Sequence, residues 1–143
     1  MEILIQRLVS DIPPPHYRQV GDAGLDLVST VDVTLGPGER VLVPTGIAVA
    51  IPAGYAGYVQ PRSGLALCHG VTVLNSPGLV DSGFRGEIKV LLVNLDRHLS
   101  YTISRGARIA QLVIHRVETV RLREVDQLPE SERGSGGFGS TGR

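Results

Sequence analysis

Tryptophan is absent from this chain, and cysteine, methionine and lysine occur once each, as Cys68, Met1 and Lys89. A lone cysteine excludes a disulfide frame or a cysteine-built metal site within one chain. Lysine plus arginine equals aspartate plus glutamate, 14 against 14, so no global field recruits nucleic acid or a membrane. No apolar stretch approaches the roughly 20 residues of a membrane span, and Met1-Glu2-Ile3 opens no basic-then-apolar leader. A soluble cytoplasmic protein is expected. The four histidines (His16, His69, His98, His115) show no HxxxH or Cys–His spacing, which argues against zinc and for structural or surface roles. With lysine confined to position 89, every other cation is arginine, whose fork suits phosphate oxygens; high-GC coding bias produces the same imbalance.

What the chain has in quantity is punctuation. Eighteen glycines and nine prolines cut 143 residues into short pieces rich in Val, Ile and Leu. These are Ile3–Val9, Leu25–Val28, Arg40–Val43, Ile47–Ile51, Tyr55–Gln60, Val71–Leu74, Ile88–Asn94, Tyr101–Ile103 and Ile109–Val117. Turn signals separate them, including Gly36-Pro37-Gly38, Pro44-Thr45-Gly46 and Pro52-Ala53-Gly54. Many short strands at near-even spacing predict one all-β barrel or sandwich, with Ser63–His69 as the only helix-like stretch. The length suits a single core, and no repeat of 20 to 50 residues is visible. Composition changes after about Thr119: 120–125 alternates apolar and charged residues, as an exposed or partner-paired strand would. From Leu128 on there is almost nothing to bury, which taken alone reads as a mobile linker. One Arg-Gly and one Phe are too little for an RNA-binding tail.

The most informative stretch is Asn75-Ser-Pro-Gly-Leu-Val-Asp-Ser-Gly-Phe-Arg-Gly-Glu87. An apolar strand ends at a Pro77-Gly78 turn and another starts near Ile88, which predicts a β-hairpin. Asp81 follows Leu79 and Val80, where a carboxylate has little structural reason to be. Asn75 brings an amide that both donates and accepts. An amide to read a planar edge and a carboxylate to hold a water suggest a nucleotide hydrolase. Pro61-Arg62-Ser63-Gly64 follows a strand and offers a guanidinium, a hydroxyl and free N–H groups, a phosphate cradle. The same residues would also serve to cap a short helix. Arg133-Gly134-Ser135-Gly136-Gly137-Phe138-Gly139-Ser140 sets one aromatic in a Gly/Ser loop behind an arginine.

With Ala23-Gly24-Leu25-Asp26-Leu27 and Arg105-Gly106-Ala107-Arg108-Ile109-Ala110-Gln111-Leu112, these segments resemble the five motifs of the trimeric dUTPases, in the family's order, from about Val20 to Gly142. The resemblance implies a distorted jelly-roll-like β-barrel with one short helix. It further implies a homotrimer with a swapped C-terminal arm, the core spanning 1–118 and the arm and Gly-rich lid 119–143. The implied reaction is hydrolysis of dUTP to dUMP and pyrophosphate, which keeps uracil out of DNA and supplies dUMP for thymidylate synthesis.

Carried over residue by residue, the resemblance makes Asp81 the base or orienter of a water that attacks the α-phosphorus. Arg62, Ser63 and Gly64 fall on the phosphates, with Ser63 near the α–β bridging oxygen, and Gln111 on the phosphates or beside the attacking water. Asn75 and the hairpin residues Gly78, Leu79, Val80 and Lys89 fall on the uracil. Arg133, Ser135, Gly136, Gly137, Phe138 and Ser140 form the closing loop, Phe138 stacking on the base. Asp26 would hold waters of a Mg²⁺ ion, for which one carboxylate suffices because Mg²⁺ keeps several waters. By spacing alone Asp26 is an ordinary surface aspartate opposite Leu25 and Leu27, and Gln111 a polar position on a strand's solvent face. Arg105 and Arg108 are expected to be structural. Where the family carries a tyrosine this chain has Phe84, which keeps the ring that packs under the sugar and loses the phenol hydroxyl. Two alternatives share part of the pattern: a dCTP deaminase-like enzyme, against which the Gly-rich fifth motif argues, and a non-catalytic nucleotide-binding regulator, against which Asp81, Arg62 and Ser63 argue.

Overall fold

The computed structural model of the chain describes residues 1–137. Ten strands and one short helix follow in order: β1 (Leu4–Arg7), β2 (Gly24–Val28), β3 (Val33–Leu35), β4 (Arg40–Ala50), β5 (Tyr55–Gln60), α1 (Ser63–His69), β6 (Val71–Val73), β7 (Gly78–Val80), β8 (Glu87–Asn94), β9 (Tyr101–Ile103) and β10 (Arg108–Arg116). They form two four-stranded sheets, ordered β1-β4-β8-β6 and β2-β10-β5-β7, and a β3-β9 ribbon. Every pairing is antiparallel. The expected all-β, jelly-roll-like architecture with one helix is what the described chain adopts.

Alternation explains the layering. Along β8 the buried positions Ile88, Val90 and Leu92 alternate with the less buried Lys89 and Leu91, so one face of that strand lies on the core. A single core draws Val43, Val49, Val90 and Leu92 from one large sheet, Leu27, Val59, Ile109 and Leu112 from the other, and Leu35 and Ile103 from the ribbon. The buried Asn94 is fully engaged. Its Nδ2 donates to the carbonyls of Leu35 (3.1 Å) and Leu99 (2.9 Å), and its Oδ1 accepts from the Asp96 N–H (2.9 Å). A buried amide with its partners in place fixes register without a desolvation penalty.

Three expectations change. Pro44-Thr45-Gly46 does not separate two strands: β4 runs through it, and the register against β8 shifts between Pro44 and Ala48. The break is absorbed as a bulge. Thr45 Oγ1 donates to the Ile88 carbonyl (2.5 Å), and the Gly46 N–H donates to Glu87 Oε1 (2.9 Å). Gly46 takes φ +70°, where a side chain would strain the backbone. Second, Val33–Leu35 and Gly78–Val80 are strands that were not expected. Third, residues 71–94 are not a simple hairpin about Pro77-Gly78. The ladder pairs β6 with β8, Val73 opposite Leu92, while β7 crosses to the other sheet and pairs with β5, Gly78 opposite Val59.

The last strand ends at Arg116, and Val120, Leu122 and Leu128 lie exposed beyond it. Residues 120–125 form no strand within their own chain. No helix among the described residues is long and apolar enough to cross a membrane.

Candidate active site

Strand β10 runs between β2 and β5, with Gln111 opposite Asp26 on one side and opposite Gln60 on the other. This seam gathers the first group of candidate site side chains. Asp26 leaves β2 on the face opposite the buried Leu27, yet it is no ordinary surface aspartate: its side chain is only 10% exposed. Arg108 Nη1 donates to its Oδ2 at 3.1 Å, and Arg18 Nε donates to the same oxygen at 3.2 Å. Arg62 Nε stands 3.7 Å from Oδ1. That Nε is buried without a hydrogen-bond partner, while Arg62 Nη1 donates to the Arg108 carbonyl at 3.0 Å. Three guanidiniums around one carboxylate leave a net positive seat, suited to a polyanion.

Gly24 lets the Gln111 side chain pack close beside this seat. A Cβ there would stand 2.8 Å from Gln111 Oε1 and 3.0 Å from Gln111 Cβ. The pair thus packs at backbone distance, and Gln111 lines the same cleft as Arg18, Asp22, Gly24, Asp26 and Arg108.

Arg62 occupies the cap position of α1 in an extended conformation, with no side-chain cap bond. Ser63 is therefore inside the first turn and not the cap. The first-turn N–H groups have no helical partners, and Ser63 and Gly64 are exposed beside them. Gly70, at φ +65°, ends the helix in a left-handed cap.

The second group lies where β7 leaves β6 and β8. Asn75, Gly78, Leu79, Val80, Phe84 and Lys89 all line one pocket of about 290 Å³, with Val59 and Val90 in its wall. Lys89 Nζ approaches Glu87 Oε2 at 3.7 Å. Asp81 follows β7 directly and is exposed, and its carbonyl accepts the Phe84 N–H at 3.1 Å in a turn. The Phe84 ring packs on Gly86, where a Cβ would come within 2.7 Å of Cζ. Among the described residues no hydrogen bond engages the Asp81 carboxylate. The two clefts share no lining residue.

In the tail, Arg133 Nε donates to the Gly136 carbonyl at 2.9 Å, and the Gly136 N–H donates to the Arg133 carbonyl at 3.1 Å. Arg133, Ser135 and Gly136 thus stand in a turn closed on itself, Gly137 follows it, and none of the four lines either cleft. Phe138 and Ser140 lie outside the described residues.

Arg105 is structural as expected. Its guanidinium grips the Asp11 carboxylate and the Thr30 carbonyl, and its N–H donates to Asp32 Oδ1 at 2.7 Å. The hydrogen bonds from the Arg105 guanidinium hold the Asp11 carboxyl below the ordinary aspartate range. Arg108 differs from expectation by joining the Asp26 cluster. Arg18 was missed altogether, since Tyr17-Arg18-Gln19-Val20 carries no motif; its one signal is a cation eight residues before Asp26.

Among the described residues no group of three or more His, Cys, Asp or Glu side chains could hold a metal. What fits a divalent cation is the single carboxylate of Asp26, provided a polyphosphate and waters complete the shell.

Residues 10–142 match the dUTPase family. The deoxyuridine 5'-triphosphate nucleotidohydrolase of Thermobifida fusca (strain YX) is 58% identical, covering 99% of this chain and 79% of that protein. Its counterpart in Streptomyces coelicolor is 56% identical, covering 99% of this chain and 78% of that protein. A solved structure of the Staphylococcus bacteriophage 80alpha dUTPase with dUpNHpp superposes with a TM-score of 0.90, at 31% identity and 99% coverage of both chains.

Proposed function

This chain belongs to the dUTPase family, and we infer from that premise that it hydrolyses dUTP to dUMP and pyrophosphate. The observation that carries the mechanism is the pair of clefts. One is a guanidinium-rich seat around the Asp26 carboxylate, and the other a pocket edged by the Asn75 amide and lined by β7 and β8.

The triphosphate takes the first. Arg62 and Arg108 neutralise its oxygens, Ser63 and Gly64 offer a hydroxyl and N–H groups, and Gln111 faces the phosphates or the attacking water. Asp26 is the residue that would hold a Mg²⁺ ion through water; when bound, that ion neutralises phosphate charge. The base takes the second cleft. The Asn75 amide and the main chain around Gly78, Leu79, Val80 and Lys89 pair with the uracil edge. A slot fitted to the uracil edge excludes the thymine methyl by clash. Cytosine presents reversed donors and acceptors and leaves buried groups unpaired.

Asp81 orients a water on the α-phosphorus and takes its proton as the new P–O bond forms. The α–β bridging bond breaks, and pyrophosphate leaves with its charge met by the cations already in place. The ring of Phe84 fills the space beside C2′, so a ribose hydroxyl has no room.

Two further elements complete the reading. The chain assembles as a cytoplasmic homotrimer in which the clefts of different subunits combine. The arm from 119 onward reaches a neighbour's site, where Arg133, Ser135, Gly136, Gly137, Phe138 and Ser140 close over the nucleotide. Stacking of an aromatic on a base contributes roughly 1–3 kcal/mol. The separation of the two clefts within one chain supports this division of labour, as does the lack of a partner for the Asp81 carboxylate among the described residues.

The test is a panel. Purified protein with Mg²⁺ and each deoxynucleoside triphosphate in turn should release pyrophosphate from dUTP far faster than from dCTP or dTTP. Release of ammonia from dCTP would favour the deaminase instead. Binding without turnover of any of them would favour the regulator.

A further inference from the structure

Asp26 is expected to hold a cation, yet its carboxylate is already engaged by three guanidiniums. Oδ2 accepts from both Arg18 and Arg108, and Oδ1 faces Arg62. A metal-bound water needs the same oxygens, so cation binding and this ion-pair set exclude one another at Oδ2.

The three arginines are not equally free to leave. Arg108 sits on β10, and Arg62 is fixed at the start of α1 with its Nη1 on the Arg108 carbonyl. Arg18 stands on a surface loop, and its side chain is the most exposed of the three at 53%, against 40% and 23%. That loop is built to present it: Asp22 Oδ2 accepts the N–H groups of Arg18 (3.1 Å) and Gln19 (2.8 Å). Val20 protrudes fully at the tip, and Gly21 turns the chain at φ +95°. Arg18 also lines the cleft that holds Gln111.

We propose that Arg18 is a positioning residue that occupies Asp26 in the free protein and moves to the triphosphate when nucleotide binds. The guanidinium keeps a lone divalent cation off the carboxylate. A bound triphosphate offers it stronger acceptors, it lets go of Oδ2, and the carboxylate becomes available to the cation the nucleotide carries. Metal binding is thereby tied to nucleotide binding, and the free protein does not accumulate a bare metal. This rests on the dUTP reading for the identity of the triphosphate, but the Arg18–Asp26 competition can be tested without it.

The experiment titrates Mn²⁺ into nucleotide-free protein, followed by electron paramagnetic resonance, and separately titrates dUpNHpp in EDTA. Wild type, Arg18→Ala and Arg18→Lys are compared, with melting temperatures recorded for each. Removing a charge a few ångströms from a partly exposed site should tighten Mn²⁺ binding by about five- to tenfold in Arg18→Ala. The same substitution should weaken dUpNHpp several-fold. Arg18→Lys should stay near wild type in both. Adding Asp26→Asn to Arg18→Ala should abolish the metal gain. A merely structural role moves both affinities the same way. Mn²⁺ binding by Arg18→Ala no tighter than wild type overturns the proposal, as does a metal gain that survives Asp26→Asn. Failure of wild type itself to bind dUpNHpp would count against the dUTP reading, and the Mn²⁺ titration would still decide the role of Arg18.

Discussion

At the β2–β10 seam the charged groups of the proposed phosphate seat are tied to one another: Asp26 to Arg18, Arg62 and Arg108, and Arg62 in turn to the Arg108 carbonyl. Around β7 the arrangement is the opposite. Asp81 and Phe84 project from a turn held by one backbone bond and by Arg85, whose guanidinium donates to the Ser82 and Phe84 carbonyls. The seat proposed for the polyanion is held by ion pairs within the chain. The groups proposed to meet the base, the sugar and the water are left open to what arrives. A substitution at the open end should therefore change chemistry without changing stability, and one at the tied end should do both.

The largest expected effect is at the open end. Asp81→Asn keeps the shape and removes the base, so turnover of dUTP should fall about 10²-fold or more. Affinity for dUpNHpp and the melting temperature should hold. A melting temperature several degrees lower would show that Asp81 is structurally tied after all, and near-normal turnover would remove it from the mechanism.

At the tied end, Gly24→Ala drives a methyl into Gln111, whose Cβ as well as its amide is in the way. The Gln111 amide must swing away and its Cβ give by a few tenths of an ångström, at a cost of about 1 kcal/mol, the low end for overpacked sites. Thermal unfolding should show the loss, and dUTP turnover should fall with it because the Gln111 amide is displaced. An unchanged melting temperature would mean the seam is looser than its ion pairs suggest.

Much of this contrast was legible in the chain, though not all of it. The ends of strands such as Tyr55–Gln60 and Tyr101–Ile103 followed from β-branched and aromatic residues bounded by turn formers. The strand through Pro44-Thr45-Gly46 did not, because proline and glycine mark a turn and a bulge alike, and only the Thr45 and Gly46 bonds to the 87–88 segment distinguish them. Val33–Leu35 and Gly78–Val80 are too short for alternation to declare itself. Of the cations around Asp26, Arg62 and Arg108 lie in motifs and Arg18 does not. Its role depends on a loop folding back over eight residues, and no local pattern encodes that return.

Phe84→Tyr is expected to change least. The ring already packs on Gly86, so the added hydroxyl should alter turnover a few-fold at most and leave the preference for dUTP over UTP nearly intact. Comparable kcat/KM values for the two nucleotides in the natural chain would show that the ring alone does not exclude ribose.

The most direct test of the divided site uses two damaged chains, full-length Asp81→Asn and a deletion of residues 133–143, each expected to be nearly inactive alone. In mixed trimers some sites would combine an intact Asp81 with an intact tail from another subunit. After subunit exchange, verified by native mass spectrometry, dUTP hydrolysis should recover well above the sum of the two parents. Mixed trimers whose activity stays at that sum would contradict a site assembled from different subunits.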